Sequence, residues 1–372
     1  MLSTRLKELR AEKRITQEQL AKAIGLDRSS IGKYEGNQNV DPSVDVLNAL
    51  ADFFDVTTDY LLGRTEFYKN NKNFVCKREK LYSLLGDLPD RGLHISSEIL
   101  SVDESDFYFI EYLNLDLNGI EKVPAYFTRP KSVSGPYPTM LFSHSHGGMY
   151  GMGKSELIKP AYYGYSEPYA QAMAKRGIAC LAIDHWGFGE RANRRESEIF
   201  KSMLWKGQVM WGMMVFDSLR AMDYLFSRND VDNSRIGSIG MSMGSTMSIW
   251  VTALDERIKF CVDICCLTDF EELENENNLD CHGIFYYVPS LTKYFDMADI
   301  NSLIAPRPHL STAGIYDILT PVKGLHKIEK KLKKVYKEMG SEDNYILKTY
   351  PCHHEETRVM RDDILSFIDK TL

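Results

Sequence analysis

The sequence predicts two folds in one chain. An all-α unit occupies residues 1–65, and beyond a linker at 66–80 an α/β domain with a mostly parallel, mixed-edge sheet occupies 81–372. Three observations carry that expectation. Short helices with capping residues and glycine stops fill the first 65 residues. From Ser96 onward short apolar runs alternate with helical stretches, and a glycine-flanked serine stands where one of those runs gives way to a helix. At ~100–200 residues per domain, a chain of 372 residues accommodates about two.

Composition narrows the class. Apolar residues at 44% and charged residues at 26% are globular values and exclude disordered or low-complexity chains. A formal net charge of -7 excludes a uniformly basic nucleic-acid binder but leaves room for a local basic face. No apolar stretch approaches the ~18 residues of a membrane span, and the start of the chain lacks the apolar core of a signal peptide. Seven scattered cysteines without a C-x-x-C pair read as reduced thiols, so neither a disulfide framework nor a metal site is expected, and the location implied is cytoplasmic.

In the first unit, Leu2, Leu6 and Leu9 recur at helical spacing. Thr16-Gln17-Glu18-Gln19 is a capping box that opens a second helix ended by Gly25. Asp27 caps a third helix over Arg28–Tyr34, Gly36 stops it, and Ser43 and Thr57 open a fourth and a fifth. A tight glycine-containing turn between the second and third helices is helix-turn-helix geometry. Charge is unevenly placed: residues 1–33 hold eight basic and four acidic side chains, residues 34–65 one basic and six acidic. The basic half contains the third helix, as phosphate contact requires.

This unit resembles the Xre/phage-repressor family of helix-turn-helix domains through Thr16–Ala21, Gly25-Leu26, Arg28–Ile31, Tyr34-Glu35-Gly36, Pro42 and Asp59–Gly63. The resemblance implies binding to double-stranded DNA through residues 1–65. Arg28, Ser29 and Lys33 would occupy base-reading positions, and Gln17, Ser30 and Asn37 would meet phosphates or position the duplex. It also implies a homodimer, since family members usually bind two half-sites.

After the Lys- and Asn-rich stretch Tyr68–Asn73, the asparagine-glycine pair at 118–119 marks a hairpin between Phe107–Leu115 and Val123–Thr128. Apolar runs at 139–143, 178–183, 235–239, 258–264, 308–312 and 345–349 alternate with helical stretches at 168–176, 209–227, 243–254, 325–339 and 358–370. Such alternation implies a parallel sheet covered on both faces.

Gly240-Met241-Ser242-Met243-Gly244 joins a strand to a helix, where a tight turn lifts a serine into an exposed, strained position. A serine nucleophile needs a base, and the base needs an orienting carboxylate. Asp317 lies just past the 308–312 strand, and His353 and His354 lie just past the 345–349 strand; spacing leaves the two histidines as alternatives. Oxyanion donors would be the amides of Met243 and of Gly148, with Gly147 next, in the loop His144-Ser145-His146-Gly147-Gly148 after the third strand. Trp186, Phe188, Tyr286, Tyr287 and Tyr294 are candidates for lining the pocket.

A rival motif overlaps that loop. Gly148–Ser155 fits the Walker A pattern and would make the domain a P-loop nucleotide hydrolase, but Pro160 and Gly164 interrupt the helix such a loop requires.

Residues 82–372 are similar to the α/β-hydrolase superfamily, and more closely to its acetyl xylan esterase and dienelactone hydrolase-like branch. The similarity is carried by His144–Gly148, Asp184–Arg191, Gly240–Gly244, Ile304–Pro308 and His354–Thr357. The resemblance selects His354 as the base beside Ser242 and Asp317, although His353 stands where a glycine is usual. It implies hydrolysis of a small or acetyl ester through an acyl-enzyme, with no metal or organic cofactor. Two readings of the whole chain follow: a DNA-binding regulator fused to an active serine esterase, or a repressor whose hydrolase fold only senses a ligand.

Overall fold

The computed structural model describes residues 2–36, 42–54, 56–63 and 72–372. Asn37 and residues 66–71 of the expected linker lie outside the described residues. The chain divides into two compact units, Met1–Lys77 with Lys337–Gly340 and Arg78–Tyr336 with Ser341–Leu372.

The first unit holds α1 (Leu2–Glu12), α2 (Gln17–Ala23), α3 (Arg28–Glu35), α4 (Val44–Phe54) and α5 (Thr58–Leu62). The capping signals act as written in the sequence. Thr16 and Gln19 form a reciprocal capping box on α2, and Asp27 accepts from the Ser30 amide at the start of α3. Leu6, Leu9, Leu20, Ile31, Leu50, Phe54 and Leu61 meet in one apolar core. Burying large aliphatic side chains is the main term holding helices this short, since isolated segments of 5–11 residues are marginal in water.

α6 (Lys72–Ser83) is helical through residues 72–80 of the stretch expected as linker. Its Arg78 donates to the carbonyls of Ala253 and Leu303, both at 2.8 Å, and so closes two helix ends in the second unit.

The second unit is a nine-stranded sheet of β1 (Ser97–Glu104), β2 (Tyr108–Leu115), β3 (Val123–Pro130), β4 (Tyr137–Ser143), β5 (Ala179–Ile183), β6 (Val231–Met241), β7 (Phe260–Ile264), β8 (His309–Gly314) and β9 (Tyr345–Tyr350). Spatial order is β1-β2-β3-β5-β4-β6-β7-β8-β9. The pairs from β1 to β5 in that order are antiparallel, and all later pairs are parallel. The expected hairpin is β2/β3, paired from Tyr108↔Pro130 to Leu115↔Val123. β1 is an additional strand, so the loop expected after the third strand follows the fourth.

The helices are α7 (Tyr169–Ala174), α8 (Glu196–Leu204), α9 (Met210–Ser227), α10 (Met243–Leu254), α11 (Phe270–Asn275), α12 (Met297–Ser302), α13 (Val322–Glu338) and α14 (Arg358–Thr371). α7 and α14 share one apolar cluster with Met140, Phe142, Ile239, Val262 and Leu310. α9 and α10 pack on β4–β7 without joining that cluster, so they cover the opposite face. Both faces are covered, as a parallel sheet requires.

Candidate active site

Ser242 sits between β6 and α10 with φ 55°, in the left-handed region that disfavours non-glycine residues. Its amide donates to the carbonyl of Ile264 at 2.8 Å, so the end of the neighbouring strand holds the turn. The flanking glycines are sterically required. A Cβ on Gly244 would stand 1.9 Å from the carbonyl oxygen of Ser143, and one on Gly240 2.3 Å from that of Gly244. That closeness is what lets β4, β6 and α10 converge beneath the serine.

Two further loops complete a triad. The loop after β8 carries Asp317, and the loop after β9 carries His354. They are laced together by bonds from the Ile315 amide to the Tyr350 carbonyl (2.8 Å) and from the Tyr316 amide to the Cys352 carbonyl (3.0 Å). Gly314 permits the approach, because a Cβ there would stand 2.3 Å from the carbonyl oxygen of His353. His354 Nε2 lies 2.8 Å from Ser242 Oγ, and His354 Nδ1 lies 2.7 Å from Asp317 Oδ2. Asp317 is buried and its Oδ1 also accepts the Leu319 amide at 2.9 Å. His353 points elsewhere: it is exposed, with Nδ1 3.1 Å from the Tyr316 carbonyl.

A cavity of about 200 Å³ opens on Ser242 and His354. His146, Gly147, Gly148 and Met243 line it, together with Thr246, Cys266, Cys281, His282, Phe285 and Tyr286. Of the aromatics proposed from the sequence, only Tyr286 lines it. Phe188 is buried behind it, stacked on Tyr150, and Trp186 packs under Arg191. Tyr287 faces a separate cavity, and Tyr294 is exposed beneath Lys80. Four lining residues that sequence reasoning misses, Cys266, Cys281, His282 and Phe285, come from the long aperiodic stretch between β7 and β8, where no repeat places a side chain. Its length and its run of aromatics are the available signal.

Burial holds the His282 imidazole down to about 4, with the neighbouring His354 acting in the same direction, and burial also lowers His146. Both rings are therefore neutral around pH 7. Met243 is the first residue of α10, and its amide has no acceptor among the described residues. The Gly148 amide donates to His146 Nδ1 at 3.1 Å, so His146 braces the loop.

The Walker-like reading fails on the structure. Lys154 is buried in a short 3-10 turn, Gly153–Leu157, instead of opening a helix. Its ammonium pairs with Asp184 Oδ2 at 2.7 Å and with Glu190, and its amide donates to Asp184 Oδ1 at 2.7 Å. An internal carboxylate fills the place a phosphate would take.

In the first unit, Arg28, Ser29 and Lys33 are exposed on α3, while Gln17 and Ser30 are partly covered. The hydroxyls of Ser29 and Ser30 both donate to Asp27, at 2.6 and 3.1 Å, and Gln17 donates to Glu35 at 2.9 Å. The Ser29 hydroxyl, with the Ser30 amide and hydroxyl, lowers the Asp27 carboxyl to about 2.

A serine on a strand-to-helix turn, followed along the chain by an aspartate and a histidine on later strand ends, defines the α/β-hydrolase class of serine hydrolases. Residues 93–299 match the family described as acetyl xylan esterase (AXE1), and residues 6–61 match the helix-turn-helix family. The chain belongs to the acetyl xylan esterase family, and it joins an esterase domain to an Xre-type helix-turn-helix domain. YtaP of Bacillus subtilis (strain 168), a protein named as a hydrolase, is 53% identical over 296 residues, covering 80% of this chain and 99% of its own. YobD of the same organism, an uncharacterized HTH-type transcriptional regulator, is 44% identical over 66 residues, 18% of this chain and 58% of its own. A glucuronoyl esterase from Solibacter usitatus shares the fold with a TM-score of 0.60 at 16% identity, over 79% of this chain and 91% of that one.

Proposed function

We propose that the chain is a DNA-binding regulator fused to an active serine esterase that cleaves small or acetyl esters. The observation that carries the enzyme reading is the continuous path Asp317–His354–Ser242, with bonds of 2.7 and 2.8 Å. His354 takes the Ser242 proton as Oγ attacks the ester carbonyl, and Asp317 holds the imidazole in the tautomer that leaves Nε2 free to accept. The Met243 amide receives the oxyanion. The Gly148 amide joins it when the carbonyl oxygen displaces His146 from its 3.1 Å bond. His354 then protonates the leaving alcohol, and water enters to release the acid. A cavity of about 200 Å³ fits a short acyl group. The decisive experiment is turnover of a short-chain aryl acetate together with labelling by a fluorophosphonate. Both are expected for the wild type; absence of both refutes the enzyme and leaves the ligand-sensor reading.

For the other unit, Arg28 and Lys33 on the exposed face of α3 support docking in a major groove, with Gln17, Ser29, Ser30 and Asn37 as further contacts. Affinity for a mixed-sequence duplex is expected to fall steeply with salt. The double variant Arg28→Ala with Lys33→Ala, which removes two base-reading cations, should weaken binding. Salt-independent binding, or a double variant that binds unchanged, contradicts groove docking.

A further inference from the structure

We propose that Glu156 is a positioning residue for the esterase reaction, holding the oxyanion loop through the two bonds it accepts from Ser145. The proposal rests on the reading of the site given above. Glu156 belongs to the 3-10 turn Gly153–Leu157 and is not part of the triad, the cavity lining or either oxyanion donor.

Its geometry is specific. Glu156 Oε2 accepts the Ser145 amide at 2.6 Å, and Oε1 accepts the Ser145 hydroxyl at 2.8 Å. One residue of the loop His144–Gly148 thus presents two donors to the two oxygens of one carboxylate, an acceptor-only group when ionised. Tyr163 extends the arrangement. Its hydroxyl bonds to Ser145 Oγ, and its ring lies so close under Gly147 that a Cβ there would stand 2.0 Å from it. The Tyr163 carbonyl accepts the amide of Glu356, two residues beyond His354, at 2.8 Å. The loop bearing Gly148 and the loop bearing His354 therefore share one support, and Glu156 anchors its oxyanion side.

The electrostatic setting is costly for a merely structural plug. On its own turn, Lys154 is engaged with Asp184 and Glu190 and lies over the Tyr126 ring. From other elements Glu156 meets Tyr163 and the acidic Glu356, which is itself tied to Arg361 at 2.7 and 2.8 Å and to Tyr169 at 2.6 Å. No cation pairs with Glu156 among the described residues. Burial pushes its carboxyl up to about 7, against the opposing pull of the Ser145 hydroxyl and amide. A buried charge held only by hydrogen bonds is expensive, and such groups concentrate where an arrangement must be held for chemistry. On protonation Oε1–H can donate to the Ser145 hydroxyl while Oε2 keeps the amide, so both contacts persist in either protonation state.

The test compares wild type, on a short-chain aryl acetate, with Glu156→Ala, which removes both contacts, and with Glu156→Gln, whose carboxamide can accept the Ser145 amide and donate to its hydroxyl. Because the loop acts on the oxyanion, kcat of Glu156→Ala is expected to fall roughly ten- to hundredfold, the range for a misplaced catalytic group, with KM little changed, and Glu156→Gln is expected to restore most of it. An active wild type beside a Glu156→Ala protein that keeps kcat overturns the proposal alone, and so does a loss carried by KM or one that Glu156→Gln does not restore. A wild type without turnover overturns the esterase reading with it. Should Glu156→Ala not fold, Ser145→Ala, which removes only the hydroxyl donor, decides the matter. A lower kcat at constant KM supports the role, and an unchanged kcat refutes it.

Discussion

Ser242→Ala is expected to lower kcat toward a short-chain aryl acetate on the order of 10⁶-fold, the scale on which loss of a nucleophile removes acyl-enzyme chemistry altogether. Fluorophosphonate labelling disappears with it. The fold is expected to survive. Alanine meets the same strain as serine at φ 55°, and the Ser242 amide keeps its bond to Ile264. What is removed is the oxygen 2.8 Å from His354 Nε2. Turnover within about 100-fold of wild type in a cleanly folded Ser242→Ala protein, measured in the steady state, would assign the nucleophile to another residue.

Asp317→Asn is the second large effect, about 10⁴-fold in kcat, and its cause is the tautomer. Asp317 uses both oxygens: Oδ1 accepts the Leu319 amide and Oδ2 faces His354 Nδ1. Asparagine has one acceptor and one donor. Kept on the Leu319 amide, its oxygen leaves the NH2 group against Nδ1. That ring nitrogen must then accept, so Nε2 carries the proton and cannot receive the one from Ser242. The alternative flip sets two donors against each other at Leu319. His353→Ala provides the contrast, since an exposed ring bonded only to the Tyr316 carbonyl should leave kcat within about twofold. Parallel kcat measurements on the two variants separate the adjacent histidine from the carboxylate proposed to orient the base.

Much of this arrangement is legible in the sequence because its determinants are local. Thr16 and Gln19 lie three residues apart and cap α2. Asp296 and Asp299, a carboxylate pair at the same spacing, form the capping box of α12. The Ser242 elbow needs only a pentapeptide, and the chain order of serine, aspartate and histidine follows from where parallel strands end. His309, at the wrong end of its strand for a base, begins β8 and is buried against Asp263 at 2.6 Å.

What stays hidden depends on distant partners. β1 carries no burial period, all eight of its residues being exposed, and only its pairing with β2 makes it a strand. α8, Glu196–Leu204, buries just Ile199 and Met203, so its place is set by what it packs against. The Walker-like octapeptide shows the converse failure, a complete local pattern overruled by Asp184 from another strand end. Glu156 is likewise silent in sequence, since its meaning comes from Ser145 eleven positions earlier and Tyr163 seven positions later.

The position of β9 has a consequence for how activity is lost. β9 is the last strand of the sheet and among the described residues pairs only with β8, yet the loop it delivers holds His354, the proposed base. The serine rides on β6, flanked on both sides by β4 and β7. Border strands exchange and fray at lower free energy than interior ones. Catalysis therefore reports on the rim of the sheet, and heat or denaturant should silence the enzyme while the central strands are still intact.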